Sequence, residues 1–240
     1  MRFQDKIVFA ATSGGSIGLA VAEALQKEGA KVVLLDSDVA EAAAQKESDT
    51  LKVIAVACFY DEQAMEAVMQ KAASYFGNAD LVVTSIKAKP AAYAWNEIPE
   101  QEAHRVFDEI MTSVQTVLKY AVPPMLERES GSIVVVGDLA GRTGVPGENI
   151  MTTAAYAGLG GLIRNMATVF GKNLITVNGV SVGCIRGEYL EPAAAEHLQP
   201  VLPFEGTGED VANAVMYLAD PAVFWNAGEI VDLNGGCFAV

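Results

Sequence analysis

Short apolar runs alternate with amphipathic stretches along the whole chain. Residues 6–10, 31–35, 53–57 and 81–84 are too short for helices and read as buried strands. Between them lie three helical patterns. Residues 17–27 put Ile17, Val21, Ala24 and Leu25 on one face and stop before Gly29. Residues 39–47 form a short alanine-rich helix. Residues 62–76 repeat Met65, Val68, Met69, Ala72 and Phe76 at helical spacing and end at Gly77. The second half continues the rhythm: a helix over 101–120 stopped by Pro123 and Pro124, a strand over 131–136 and a helix over 152–170. A strand over 174–180, a helix over 210–219 and a last strand over 229–233 complete it.

Strand and helix alternate at about 25 residues per unit, the pattern of right-handed βαβ crossovers on a parallel sheet. The expectation is an α/β fold: one doubly wound Rossmann-type domain over residues 1–240, its seven-stranded parallel sheet flanked by helices. The two long loops, 87–100 and 184–208, follow strands at their C-terminal ends, where such sheets place ligands.

Composition removes several classes of function. A net charge of −14 disfavours nucleic acid and anionic membrane, which would repel this surface. No apolar run reaches the roughly 18–20 residues of a membrane helix, and Asp5 and Lys6 interrupt any signal-like N-terminus. The expected location is therefore cytoplasmic. Cys58, Cys184 and Cys237 lie far apart, with neither metal spacing nor a disulfide framework; Cys58 and Cys184, at or just after strand ends, read as buried small hydrophobes. His104 and His197 have no His or Cys nearby, so no metal site is expected.

Several segments stand in the order and spacing of one family. Gly131-Ser132-Ile133-Val134, Val177-Asn178-Gly179-Val180 and the C-terminal Gly228-Glu229…Asp232…Asn234-Gly235-Gly236 together resemble the short-chain dehydrogenase/reductase family over nearly the whole chain. The resemblance implies a nicotinamide cofactor at the end of the first strand and an Asn-Ser-Tyr-Lys catalytic tetrad.

The positions that would hold the cofactor depart from the family pattern. In the phosphate loop Thr12 and Ser16 replace the first two glycines and Gly18 keeps the third. A Ser16 side chain crowds the approach of a pyrophosphate, while Gly14 and Gly15 leave room for another loop shape. Asp36 ends the second strand, where an acid can hold adenosine ribose hydroxyls or simply cap the next turn. Cys58 or Phe59 stands at the adenine contact. Thr84-Ser85-Ile86-Lys87 replaces Asn-Asn-Ala-Gly, Val182-Gly183 replaces Pro-Gly, and Gly187 replaces a threonine. No cofactor is expected in this chain, with Gly18 and Asp36 as the two candidate contacts.

The tetrad positions fall on Ile110, Asp138, Thr152 and Tyr156. A register one residue earlier would use Met151 and Ala155, and neither register supplies an acid/base. A threonine hydroxyl does not titrate near neutral pH, and Tyr156 has Gly160, not lysine, four residues on. Asp138 would set an anion against a developing oxyanion. It reads as a loop-ordering acid or as a replacement base.

The helix over 152–170 is rich in small residues. Ala154, Ala157, Gly158 and Gly161 form a stripe that is either packed on the chain's own sheet or an interface, as on the matching helix of the family. The apolar tail through Val240 resembles the family's second interface. The expectation is a non-catalytic subunit, not an enzyme on its own. It pairs with an active short-chain dehydrogenase paralogue in a heterotetramer, with NAD in the partner, as in hydroxyacyl-CoA-type alcohol dehydrogenase complexes. Two other readings stay open: an oxidoreductase with rearranged chemistry at Asp138, Tyr156 or Tyr189, and an NAD(P)-sensing module resting on Asp36.

Overall fold

A computed structural model describes residues 1–89, 91, 93–145, 148–188 and 198–239. Tyr189, His197 and Val240 lie outside the described residues. Seven parallel strands form one sheet in the order β3-β2-β1-β4-β5-β6-β7. They are β1 (Ile7–Thr12), β2 (Lys31–Asp36), β3 (Leu51–Ala55), β4 (Leu81–Ser85), β5 (Gly131–Asp138), β6 (Ile175–Val182) and β7 (Ile230–Leu233). The doubly wound fold read from the sequence is the fold observed.

Alternation along the strands divides the core. Val8, Val32, Val134 and Val180 face α1 (Ser16–Lys27) and the last helix, α7 (Gly208–Ala219), through Ile17, Val21, Val211 and Val215. Phe9, Val33, Val82 and Ile133 face the other layer. That layer is built from α3 (Glu62–Phe76), α5 (Ser113–Arg128) and α6 (Ile150–Phe170). Two smaller helices, α2 (Val39–Ala44) and α4 (Glu100–Phe107), complete the α-helices of the described residues. No described helix is long and apolar enough to cross a membrane.

Several boundaries differ from the sequence reading. The short helix ends at Ala44 because Gln45 turns extended, and β3 begins two residues early, paired in register with Val32–Asp36 of β2. Pro123 and Pro124 do not stop the helix: α5 runs through them to Arg128. The carbonyls that lose their intrahelical donors belong to exposed Lys119 and half-buried Tyr120, which water can serve. Buried Val122 and Met125 hold the other side on the core. A π-helical turn, Asp108–Thr112, joins α4 to α5.

The family-like segments have local reasons. Asn178 is fully buried, donates to the Asn226 carbonyl at 2.9 Å and accepts from Glu229 N–H at 3.1 Å, tying β6 to the turn before β7. Asn234 donates to the Phe238 carbonyl and accepts from Gly236 N–H, both at 2.9 Å, ordering the tail where Gly235 and Gly236 take positive φ.

Candidate functional site: a filled phosphate cradle

The strand order reverses between β1 and β4, which opens a crevice at the C-terminal ends of the strands. The N-terminus of α1 points into it. The loop from β1 to α1 turns at Gly14 (φ 80°) and Gly15 (φ 87°), and the Thr12 hydroxyl donates to the Gly14 carbonyl at 3.3 Å. Gly18 has a packing role: a Cβ there would lie 2.3 Å from Thr12 Oγ1. The two glycines supply the positive-φ turn that Thr12 and Ser16 cannot.

The anion position at this helix end is taken by the chain itself. Glu188, from the loop after β6, accepts from Ser16 Oγ at 2.9 Å and from Ile17 N–H at 3.2 Å. Its other carboxylate oxygen lies 2.8 Å from Lys87 Nζ, and its side chain is only 9% exposed. A Cβ on Gly15 would meet Glu188 Oε1 at 2.9 Å, so the glycine admits the carboxylate as it would admit a phosphate. Glu41 takes the next donor, Gly15 N–H, at 2.9 Å. Burial alone would raise the Glu188 carboxyl. The Lys87 ammonium, the Ser16 hydroxyl and the Ile17 N–H outweigh it and hold the group below its ordinary value.

Asp36 is buried and turned inward, accepting from Asp38 N–H at 2.9 Å and from the backbone of Gly14. Burial pushes its carboxyl up to about 6, and neighbouring Glu41 and Asp38 add to the shift against the two backbone bonds. It orders the loop rather than presenting a free acid. Beyond it, Asp38, Cys58, Phe59, Tyr60, Lys89 and Arg105 line a cavity of about 310 Å³ on the adenosine side. Arg105 is already bound by Glu102 at 2.7 Å and by Glu109 at 2.5 Å.

Three of the four tetrad positions, Asp138, Thr152 and Tyr156, line one cavity. Ile110 is fully buried in the π turn. Asp138 accepts from Ala140 N–H at 2.8 Å and caps the following 3-10 turn, Leu139–Gly141. Burial raises the Asp138 carboxyl against that bond, with Lys87 lowering it and Glu188 raising it. Thr152 is buried, and its hydroxyl has no hydrogen-bond partner among the described residues. Tyr156 is pushed well above 10 by burial and by the charges of Asp138, Glu148 and Glu188. Asp138, Thr152, Tyr156, Lys87 and Glu188 all line one cavity of about 170 Å³.

Sequence reasoning missed Glu188 and Glu41, and treated Lys87 only as a substitution. Lys87 and Glu188 stand 101 residues apart, so no local pattern links them. The available signal was a cation after β4 together with an acid after β6, both beside a phosphate loop.

The small-residue stripe faces outward. Ala154, Ala157 and Gly161 are exposed and Gly158 is half-exposed, while Ala155, Tyr156, Leu159 and Ile163 face the sheet. A Cβ on Gly161 would meet nothing within 4 Å among the described residues, and one on Gly158 would meet only Met111. Tight backbone approach to α6 occurs elsewhere: a Cβ on Gly141 would lie 2.6 Å from the Tyr156 carbonyl carbon. An apolar groove of about 630 Å³ runs between α5 and α6, past Leu118, Val122, Leu126, Leu162, Met166 and Phe170. The tail is partly covered within the chain, with Cys237 and Phe238 packed on Leu139, Val145 and Leu198.

Comparison with known proteins agrees with this architecture. A family model described as enoyl-(acyl carrier protein) reductase matches residues 11–237. The 3-oxoacyl-[acyl-carrier-protein] reductase of Escherichia coli is 28% identical over 255 residues, covering all of both chains. A probable short-chain type dehydrogenase/reductase of Bradyrhizobium diazoefficiens is 31% identical, covering 99% of this chain and 89% of its own. Among solved structures, a short-chain dehydrogenase/reductase variant from Serratia marcescens superposes over the full length of both chains with a TM-score of 0.86 at 25% identity. The chain belongs to the short-chain dehydrogenase/reductase family.

Proposed function

We propose that this chain is a catalytically silent short-chain dehydrogenase/reductase subunit that assembles with an active, NAD-dependent paralogue. The observation that carries the reading is the Glu188 carboxylate on Ser16 and Ile17, locked by Lys87. A dinucleotide pyrophosphate brought to the same donors would meet the negative charges of Glu188 and Glu41 there. The chemistry is missing as well. Each absent acid/base role lowers a rate by about 10²–10⁴, and neither Thr152 nor Tyr156 transfers a proton near neutral pH.

The α5–α6 face supports the assembly half of the proposal. Its small residues and apolar groove fit the matching face of a second subunit, since close helix approach needs a stripe without bulky side chains. At the level of pathway, the pattern of losses resembles the non-catalytic subunit of 2-[hydroxy(phenyl)methyl]succinyl-CoA dehydrogenase of anaerobic toluene degradation. A complex of that kind, with NAD in the partner subunit, is the assembly proposed.

The named relatives are reductases and dehydrogenases, which gives the opposing reading its weight: an oxidoreductase using Asp138 and Tyr156, which share the cavity with Lys87. Purified alone, the silent subunit should show no NAD(P)-dependent turnover of acyl-thioester alcohols or ketones and no NAD heat signal in calorimetry. Turnover by the pure chain, lost in Tyr156→Phe, would establish the oxidoreductase instead. NAD binding without turnover, lost in Asp36→Ala, would establish a sensing module.

A further inference from the structure

The start of the loop after β6 and the C-terminal tail meet at two thiols. Cys184 is buried, holds a left-handed backbone (φ 58°), and donates its thiol to the Leu198 carbonyl at 2.7 Å. Cys237 Sγ lies 3.7 Å from Cys184 Sγ, although 53 residues separate them in the chain. The pair sits in an apolar cluster of Leu139, Ala140, Val145, Leu198 and Phe238. Cys58 is elsewhere, lining the adenosine-side cavity.

We infer that Cys184 and Cys237 are a dithiol pair that closes to a reversible disulfide when the protein meets a peroxide. A disulfide needs a sulfur separation of roughly 2.05 Å, and side-chain rotation in the tail on which Cys237 sits provides the approach. Half-exposed Cys237 meets the oxidant first. Its sulfur attacks a peroxide oxygen, the O–O bond breaks, and a sulfenic acid and one water form. The Cys184 sulfur then attacks the Cys237 sulfur, the S–O bond breaks, and hydroxide leaves with the Cys184 proton as a second water. Two thiols lose two electrons and the peroxide gains them.

The surroundings set the order of events. Burial pushes the Cys184 thiol up to about 12, with the Cys237 thiol adding to the shift, so Cys184 stays protonated until an electrophilic sulfur stands beside it. The bond would anchor the loop that carries Glu188, four residues beyond Cys184, to the C-terminal tail.

The test uses the full-length reduced protein, treated with hydrogen peroxide, alkylated and digested with trypsin without reductant. Cleavage after Arg186 places the two cysteines in separate peptides, residues 173–186 and 187–240. The expected product is these two peptides joined, two hydrogen atoms lighter than their sum and separated again by dithiothreitol. Cys184→Ser keeps the bond to Leu198 and gives no joined peptide, only oxidised Cys237. Recovery of both cysteines alkylated in their own peptides, or linkage through Cys58 or between molecules instead, would overturn the assignment.

Discussion

Lys87 Nζ and Glu188 Oε2 stand 2.8 Å apart and close the loop after β4 onto the loop after β6, over the N-terminus of α1. The pair converts an anion-binding helix end into an internal contact. Substituting Glu188 by Ala leaves Lys87, the Ser16 hydroxyl and the Ile17 N–H free to meet a phosphate. Calorimetric titration with NAD should then show a binding heat that the parent protein lacks. No binding heat in the variant, or the same heat in both proteins, would mean that Glu188 does not guard the site.

Asp36 gives a pH dependence of opposite sign to that of Glu188. Its folded pKa, about 6, lies above its unfolded value, so the folded state binds more protons between them. Stability from this group therefore falls as pH rises from about 4 to about 6, and the deficit stays in place above that. Asp36→Asn keeps an oxygen for Asp38 N–H and removes the charge. After allowance for solvent screening, a gain on the order of 1 kcal/mol is expected at pH 8, vanishing by pH 4. Melting curves of both proteins across that range measure it; a gain independent of pH would exclude the charge as its cause.

Glu188 runs the other way. Its folded pKa is depressed, so its clamp is complete above the ordinary carboxylate range and is lost as pH falls through the folded value. In Glu188→Gln the acid limb of the stability–pH curve should be shallower than in the parent protein. Superimposable acid limbs would show that the clamp contributes nothing to folding.

Restoring the reactive pair should not restore turnover. Thr152→Tyr with Tyr156→Lys supplies the family's acid/base residues, yet leaves Glu188 on α1 and the Asp138 carboxyl in the same cavity. Adding Asp138→Ser and Glu188→Ala should bring NAD-dependent activity into view, by a factor of about 10² or more over the double variant. Steady-state assays with a 3-oxoacyl thioester compare the two. Full activity in the double variant alone would show that the cradle was never closed.

Gly161 separates folding from assembly. A Cβ there meets nothing in the described chain, so Gly161→Leu should raise helix stability by about 0.5–1 kcal/mol. The same side chain would stand in the path of an approaching helix. Light scattering should report loss of the assembly while the melting temperature holds or rises. An intact assembly would move the interface off α6.

Strand rhythm was legible because each buried strand is a short apolar run between turn residues, as at Lys31–Asp36 before Ser37. The outward stripe on α6 was legible as composition, although only the fold decides between its two faces. Pro123 and Pro124 misled because tertiary packing through Met125 overrides a local break. The residue types at Thr152 and Tyr156 could be read directly from position. The Glu188 contact at the start of α1 could not, since Glu188 reaches Ser16 across 172 residues and only folding brings them together.

This chain is proposed to work as a silent partner. Co-expression with an active short-chain dehydrogenase paralogue from the same genome, followed by native mass spectrometry, tests it. The account predicts a hetero-oligomer containing both chains, with NAD carried only by the partner and the partner's activity reduced when this chain is left out. Homo-oligomers alone, with partner activity unchanged in its absence, would contradict it.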